Sequence, residues 1–470
     1  LIPTKLLSFR LDQGDYMSDL LSELEQRNVS QASQPQLKSR DWTAPSVYTL
    51  GFLTLISSFN YLDRSILGLV LPLIKTEMQV SDTVLGLVSG LAFVLFYSLL
   101  GIPIAWAADR WNRRNIIAIG FFFWSLMTTA TGFVVNIWQL ALTRFLMGAG
   151  EACGIAPSNS LIADVFHPAR RALALSIFGT AFAIASLLFF PIAGWISDSY
   201  GWRAAFVAAG VPGLMLAIIF ALTVKEPARG ASETTRTSAA TVSFIETIKF
   251  MSGARTYLLI LLGVTFMGAN VYAAGIWSAT FLVRVHGMSI SEIASIIGPV
   301  RGILGVIGVL LGGILVDRLG GSKLRWRMYV PGVACLLVAP AEAAFLLGDT
   351  TAVWVVGFAA TSLLTFLHQG PIYAAAMSVA QPRMRATATA VLLLCASLVG
   401  QAFGPLLVGW LNDRLNPVYG DLAIRYSMLV IVLCAIITSF CFLLGARTFG
   451  EDSRRATGEP GPDLSATVRA

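Results

Sequence analysis

The sequence predicts an all-α membrane protein of twelve transmembrane helices in two pseudo-symmetric six-helix bundles. Three observations predict this. The chain of 470 residues is 56% apolar and only 13% charged, with a mean hydropathy of +0.73, far from the balance of a water-soluble domain. Twelve segments each hold about 20 apolar residues, the length needed to cross a hydrocarbon core roughly 30 Å thick. Landmarks also recur at nearly one spacing. Asp109-Arg110 and Asp317-Arg318 lie 208 positions apart, Gly194-Trp195-x-x-Asp198 and Gly409-Trp410-x-x-Asp413 lie 215 apart, and Pro168-x-x-Arg171-Ala172 and Pro382-x-x-Arg385-Ala386 lie 214 apart. Parallel halves with a binding site between them near the bilayer midplane are a recurring plan of secondary transporters.

In chain order, residues 1–45 form a polar N-terminal segment with no short apolar run ending in a small-residue site, so no cleavable signal is expected. The first bundle covers 46–224, with spans near 46–72, 84–107, 115–135, 138–163, 171–196 and 203–223. Residues 225–254 are rich in Ser, Thr, Ala and charge and read as a linker. Within it Phe244, Ile245, Ile248 and Met251 fall at helical spacing, as in a short helix lying on a membrane surface. The second bundle covers 255–446, with spans near 257–283, 291–315, 328–347, 353–379, 386–411 and 424–446, and 447–470 reads as a disordered tail.

Of the Lys and Arg residues, 25 fall in loops on the side of the N-terminus, 5 on the opposite side, and three (Arg64, Arg144 and Arg301) inside spans. Cytoplasmic loops retain positive charge, so both termini are expected in the cytoplasm, the bacterial inner membrane being the natural setting. The net charge of +7 therefore reflects topology, and no nucleic-acid partner is expected. The five cysteines lie within apolar segments without a C-x-x-C pair, so neither a disulfide framework nor a metal site is predicted. With no phosphate-binding loop, no H-E-x-x-H and no G-x-S-x-G in the chain, ATP hydrolysis and enzyme chemistry are disfavoured and a gradient is the expected energy source. No cofactor is implied beyond the proton as coupling ion.

Charges inside spans carry the functional reading, because each costs on the order of 2.5 to 3.5 kcal/mol at mid-bilayer and needs a partner, a wet cavity or a proton. Asp63 and Arg64 stand in Asn60-Tyr61-Leu62-Asp63-Arg64 on the first span, and Arg144 and Glu151 on the fourth. Seven residues separate the latter two, which puts them on one helix face about 10 Å apart. Two pairings, Asp63 with Arg144 and Arg64 with Glu151, would merely hold the spans together. The functional alternative is that an anionic substrate takes an arginine and frees a carboxylate to bind a proton, with Asp63 the first and Glu151 the second such carrier. Arg301 has no acidic neighbour in sequence and faces either a carboxylate of another helix or an anion. Asn270, Tyr272, His368, Gln369 and Tyr373 are polar handles on the seventh and tenth spans, His368 being equally readable as a hydrogen-bonded interior histidine.

The segments Ala105-x-x-x-Asp109-Arg110-x-x-Arg113-Arg114 and Gly313-x-x-x-Asp317-Arg318-x-Gly320 resemble the loop signature of the major facilitator superfamily, with Ala105 in place of the usual glycine. The resemblance implies the major facilitator fold, rocking between inward-open and outward-open states, with these charged residues and the paired Asp198 and Asp413 as gating contacts. Asn60-Tyr61-x-Asp63-Arg64 together with Arg144-x-x-x-Gly148-x-Gly150-Glu151-Ala152 resembles the spinster-type branch, whose members move lysolipids and sphingosine-1-phosphate. It implies proton-linked transport of an amphiphilic or anionic small molecule through Asp63, Arg64, Glu151 and Arg144, by a monomer embedded in the lipid bilayer. A carrier of organic anions or hydrophobic drugs is the first alternative, and a lipid-binding membrane receptor that moves nothing is the second.

Overall fold

A computed structural model describes residues 42–108, 110–228, 243–320 and 324–457. The unit beginning at Thr49 holds every helix crossing and charge cluster described below. All regular structure among the described residues is helical. In chain order, span 1 is Ala44–Met78, span 2 is Asp82–Ala108, span 3 is Arg113–Thr131, span 4 pairs Ile137–Glu151 with Ile155–Val165, span 5 is Pro168–Tyr200 and span 6 is Trp202–Thr223. Span 7 is Arg255–His286, span 8 is Ile290–Gly320, span 9 is Trp326–Leu347, span 10 is Thr351–Ser378, span 11 is Arg385–Tyr419, and span 12 is centred on Leu429–Thr457.

Among the described residues, eight stretches are long and apolar enough by themselves to cross a membrane, the last of them, Thr387–Thr457, covering most of span 11 and all of span 12. The spans outside those stretches are 1, 3 and 4, and these carry Asp63, Arg64, Arg113, Arg114, Arg144 and Glu151. Three of the less apolar elements thus carry the charge cluster of the first bundle, while Asp82, Arg301 and Glu342 lie on spans within the apolar stretches.

Glycine sets the closest helix crossings. Side chains at Gly148 and Gly150 would collide with Phe93 of span 2 and Trp124 of span 3, so span 4 lies tightly against both. Spans 1 and 7 cross where Gly68 meets the Gly275 carbonyl. Spans 2 and 11 cross where Gly86 and Gly90 meet the Pro405 and Gln401 carbonyls. Span 5 contains a π-helical turn at Ala185–Phe189, the segment against which Gly298 and Gly302 of span 8 pack.

A short helix forms in the linker at Phe244–Ser252, with Phe244, Ile245 and Ile248 exposed and Met251 buried. The expected disorder from 447 onward is corrected for its first part, because span 12 continues as helix to Thr457. Asp452 there accepts the Thr256 N–H at 2.8 Å, capping the start of span 7, and the Arg455 guanidinium lies 4.8 Å from the Phe250 ring. The remaining tail lies outside the described residues, as do 1–41, part of the linker and Asp109.

Candidate functional site

The four charges of spans 1 and 4 meet inside the first bundle. Arg64 Nε donates to Glu151 Oε2 at 2.7 Å, with Glu151 fully buried and the Arg64 side chain 19% exposed. The guanidinium sits over Phe93 and Tyr97 of span 2, 4.9 and 4.6 Å from the ring centroids. Tyr61 and Tyr272 complete its surroundings, and Tyr61 packs edge-on against Phe182 of span 5. One anchored nitrogen and one buried, unpartnered Nη2 leave Arg64 with donor capacity to spare.

The expected Arg64–Glu151 pair forms, but Arg144 does not pair with the Asp63 carboxylate. Its Nη1 donates to the Asp63 backbone carbonyl at 3.3 Å and to Met147 Sδ at 3.0 Å, and its guanidinium lies 5.3 Å from the Phe93 ring. The Asp63 carboxyl group points instead toward span 3, beside Thr128 and Trp124. Asp63 Oδ1, Glu151 Oε1, Asn60 Nδ2 and Arg144 Nε are all buried without hydrogen-bond partners. Buried polar groups are ordinarily satisfied, so this cluster holds groups ready to accept or donate to something further.

The second bundle contains a small cavity of about 30 Å³ lined by Asn270, Ser278, Arg301, Glu342, Thr365 and Phe366 among others. Arg301 makes no hydrogen bond or ion pair with any described residue, and its guanidinium lies over Gly275 of span 7. It lines this cavity, which Glu342 also lines, without an ion pair to any described carboxylate. The structure sets His368 apart from this lining. His368 occupies the break between Thr351–Leu367 and Gln369–Ser378, where Nδ1 binds the Thr365 carbonyl at 2.5 Å and the ring faces Phe442 at 6.2 Å, as an interior histidine does. Gln369 and Tyr373 are half-buried nearby, outside that lining too. Glu342 is the residue sequence reasoning missed. It is a solitary acid in an apolar span, and the cost rule that selected Asp63 would have selected it as well.

Polar contacts between the two halves, among the described residues, gather at the end remote from span 1's start and span 12's finish. Asp413 of span 11 accepts the Asp82 and Thr83 N–H groups at 3.0 and 2.7 Å and the Thr83 hydroxyl at 2.5 Å, capping span 2. Asp198 of span 5 accepts the Ser291 N–H at 2.7 Å, capping span 8. The echoed Gly-Trp-x-x-Asp motif is therefore one device used twice. Its glycine lets the opposite half approach, since a side chain at Gly194 would meet Ala294 and one at Gly409 the Asp82 carbonyl. Its aspartate, one helical turn on, caps the facing helix. Gly409→Ala is accordingly expected to part spans 2 and 11 at this end, read as increased labelling of a cysteine placed at Asn412.

Asp82 adds a charge cluster to the first cap. Its fully buried carboxylate takes both Arg284 Nη atoms at 2.8 and 2.9 Å, Lys75 at 2.8 Å, and Asn412 Nδ2. At the opposite end, Arg113 binds Asp164 and Glu226 at 2.5 and 2.8 Å, Arg114 donates to the Ala221 carbonyl, and Arg110 lies 4.1 Å from the Trp106 ring, all within the first half. Asp317 and Arg318 are exposed there and pair with no described residue. The halves are thus fastened at one end, and among the described residues the loop-signature charges do not join them at the other.

The model of the Major Facilitator Superfamily matches residues 53–405. An MFS-type efflux pump of Mycolicibacterium smegmatis is 29% identical over 88% of this chain and 94% of its own. Protein spinster homolog 1 of Homo sapiens is 29% identical over 87% of this chain and 82% of its own. Among solved structures, a bacterial homolog to the human lysosomal transporter Spinster, inward-facing and unoccupied, superposes with a TM-score of 0.78 at 29% identity, covering 89% of this chain and 99% of that one. The same homolog in an inward-facing and occupied conformation gives a TM-score of 0.74 at 30% identity over 89% of this chain and 99% of that one. The fold agrees with these relatives over most of the chain. The chain is a multi-pass membrane transporter of the major facilitator superfamily, in its spinster-like branch.

Proposed function

We propose that the protein is a proton-coupled secondary transporter for an amphiphile with an anionic headgroup, such as a lysophospholipid or a sphingosine-1-phosphate-like lipid. The observation that carries the reading is Arg64, held to Glu151 by a single contact, partly exposed, and one residue from the buried Asp63 carboxyl group with its unpartnered oxygen. A phosphate or carboxylate arriving at Arg64 competes with Glu151 for the guanidinium. The carboxylate it displaces is then left in a low-dielectric site, where taking up a proton removes the cost of the bare charge. Proton and substrate occupancy become linked through one arginine. The aromatic walls from Tyr61, Phe93, Tyr97 and Phe182 suit an acyl chain beside that headgroup.

With both termini in the cytoplasm, the fastened end faces outward and the chain stands in an inward-open state, acting as a monomer in the bacterial inner membrane. A second reading, transport of organic anions or drugs, is favoured by two relatives, the efflux pump already described and a probable galactarate/D-glucarate transporter of Bacillus subtilis that is 28% identical over 61% of this chain and 68% of its own.

The test is uptake of labelled lysolipid into proteoliposomes with and without an imposed pH gradient. The native chain is expected to accumulate lipid when the gradient is present, and Asp63→Asn to bind lipid yet lose the response. Asparagine cannot take up the coupling proton at neutral pH, so the response to the gradient should be lost. Lysolipid-independent behaviour with uptake of an organic acid would favour the second reading, and equal uptake by both proteins would make Asp63 structural.

A further inference from the structure

Glu342 lies on span 9, in the half of the molecule that the charge cluster of spans 1 and 4 does not reach. It is 1% exposed, and its one hydrogen bond is from Asn270 Nδ2 to Oε1 at 2.7 Å. Its Oε2 is buried and unpartnered, and so are the hydroxyl oxygens of Thr361 and Thr365, which line the same cavity from span 10. The groups facing it are Asn270 of span 7, the Cys335 and Cys434 thiols of spans 9 and 12, and, elsewhere in the cavity lining, Arg301 of span 8. No cation stands within ion-pair distance of it among the described residues. A carboxylate so placed is among the most costly groups a protein can bury, whereas the carboxylic acid needs only a hydrogen-bond acceptor.

The pseudo-symmetry gives the second, independent argument. Gly68 and Gly275 meet where spans 1 and 7 cross and lie 207 positions apart. The same step of 207 carries Asp63 to Asn270. In the first half the acid is on span 1, beside Thr128 of span 3. In the second half the amide is on span 7 and the acid is on span 9, the counterpart of span 3, with a 2.7 Å hydrogen bond between them. Each half therefore carries one acid and one neutral polar partner between its first and third helices, with the roles exchanged.

We propose that Glu342 is a second proton-binding carboxylate, one for each bundle, exchanging its proton through the cavity that Arg301 and the two threonines line. Its use in a cycle rests on the proton-linked transport proposed above, while its existence does not. The experiment is infrared difference spectroscopy of the full chain in lipid nanodiscs, titrated with acid and base. Glu342→Gln keeps the volume and an acceptor for Asn270, so it should fold, as checked by monodispersity. The native-minus-Glu342→Gln spectrum is expected to contain a protonated carboxyl band that vanishes as pH rises. Arg301→Gln should displace the midpoint of that band and keep its amplitude. Absence of the band at every pH, or its persistence unchanged throughout, would overturn the proposal. Asp63→Asn, titrated beside it, separates the two readings. A Glu342 band without an Asp63 band sinks the first-bundle carrier and leaves this site standing, and the converse result does the opposite.

Discussion

Glu151→Gln is expected to destabilise the protein and to abolish transport, and the two losses should respond differently to a second substitution. Glu151 is fully buried and is the one carboxylate bonded to Arg64. Removing its charge leaves a guanidinium without a counter-ion between Phe93 and Tyr97. Breaking a buried pair from one side costs about 3 to 5 kcal/mol. The lower end applies here, because Arg64 is partly exposed and can turn toward the cavity. Thermal unfolding in detergent, followed by tryptophan fluorescence, reads the effect. Arg64→Met with Glu151→Gln removes both charges and should regain most of the lost stability. Transport of the labelled lipid should stay absent in the double variant, since the headgroup contact is gone. An unfolding curve for Glu151→Gln that matches the native one would mean that the pair does not hold spans 1 and 4.

Much of this is legible in the sequence because a bilayer leaves few ways to satisfy a chain. Apolar length gives the twelve spans, and the echoed landmarks give two halves, the Gly-Trp-x-x-Asp pair marking places where two helices touch and a helix end is capped. Asp63, Arg64, Arg144 and Glu151 are legible as a cluster because so few charges lie inside spans. Their pairing is not. Whether Arg144 reaches the Asp63 carboxylate or its backbone carbonyl depends on how deeply Gly148 and Gly150 let span 4 sink against spans 2 and 3, and no spacing rule reports that depth. Asp82 and Arg284 read as ordinary helix-end charges, and 202 positions of chain separate them. The tail from 447 reads as disordered on composition alone, though Asp452 and Arg455 hold its first turns to span 7 and the short linker helix.

The fastened end supplies the other large expected effect. Asp82→Ala should shift the population away from the fastened state, because this carboxylate joins Arg284, Lys75 and Asn412 around one buried point. In the closed arrangement the substitution strands two cations, whereas opening lets water reach them. Truncating one partner of a buried, hydrogen-bonded charge cluster costs about 2 to 5 kcal/mol, and about 3 kcal/mol corresponds to a change of roughly 150-fold in the conformational equilibrium. Spin labels at Tyr200 and Val418, both exposed at this end, should show a distance distribution moved to longer values. Asp198→Ala is the internal comparison. Asp198 caps span 8 through Ser291 at an exposed site and gathers no cations among the described residues, so its loss is worth about 1 kcal/mol, as for other helix caps. The two halves share the capping device, but only the Asp82 side adds buried charge to it. Equal shifts for Asp82→Ala and Asp198→Ala would assign the hold to the caps alone. A shift confined to Asp82→Ala would assign it to the charge cluster, and would make span 2 with the end of span 7 the place where opening begins.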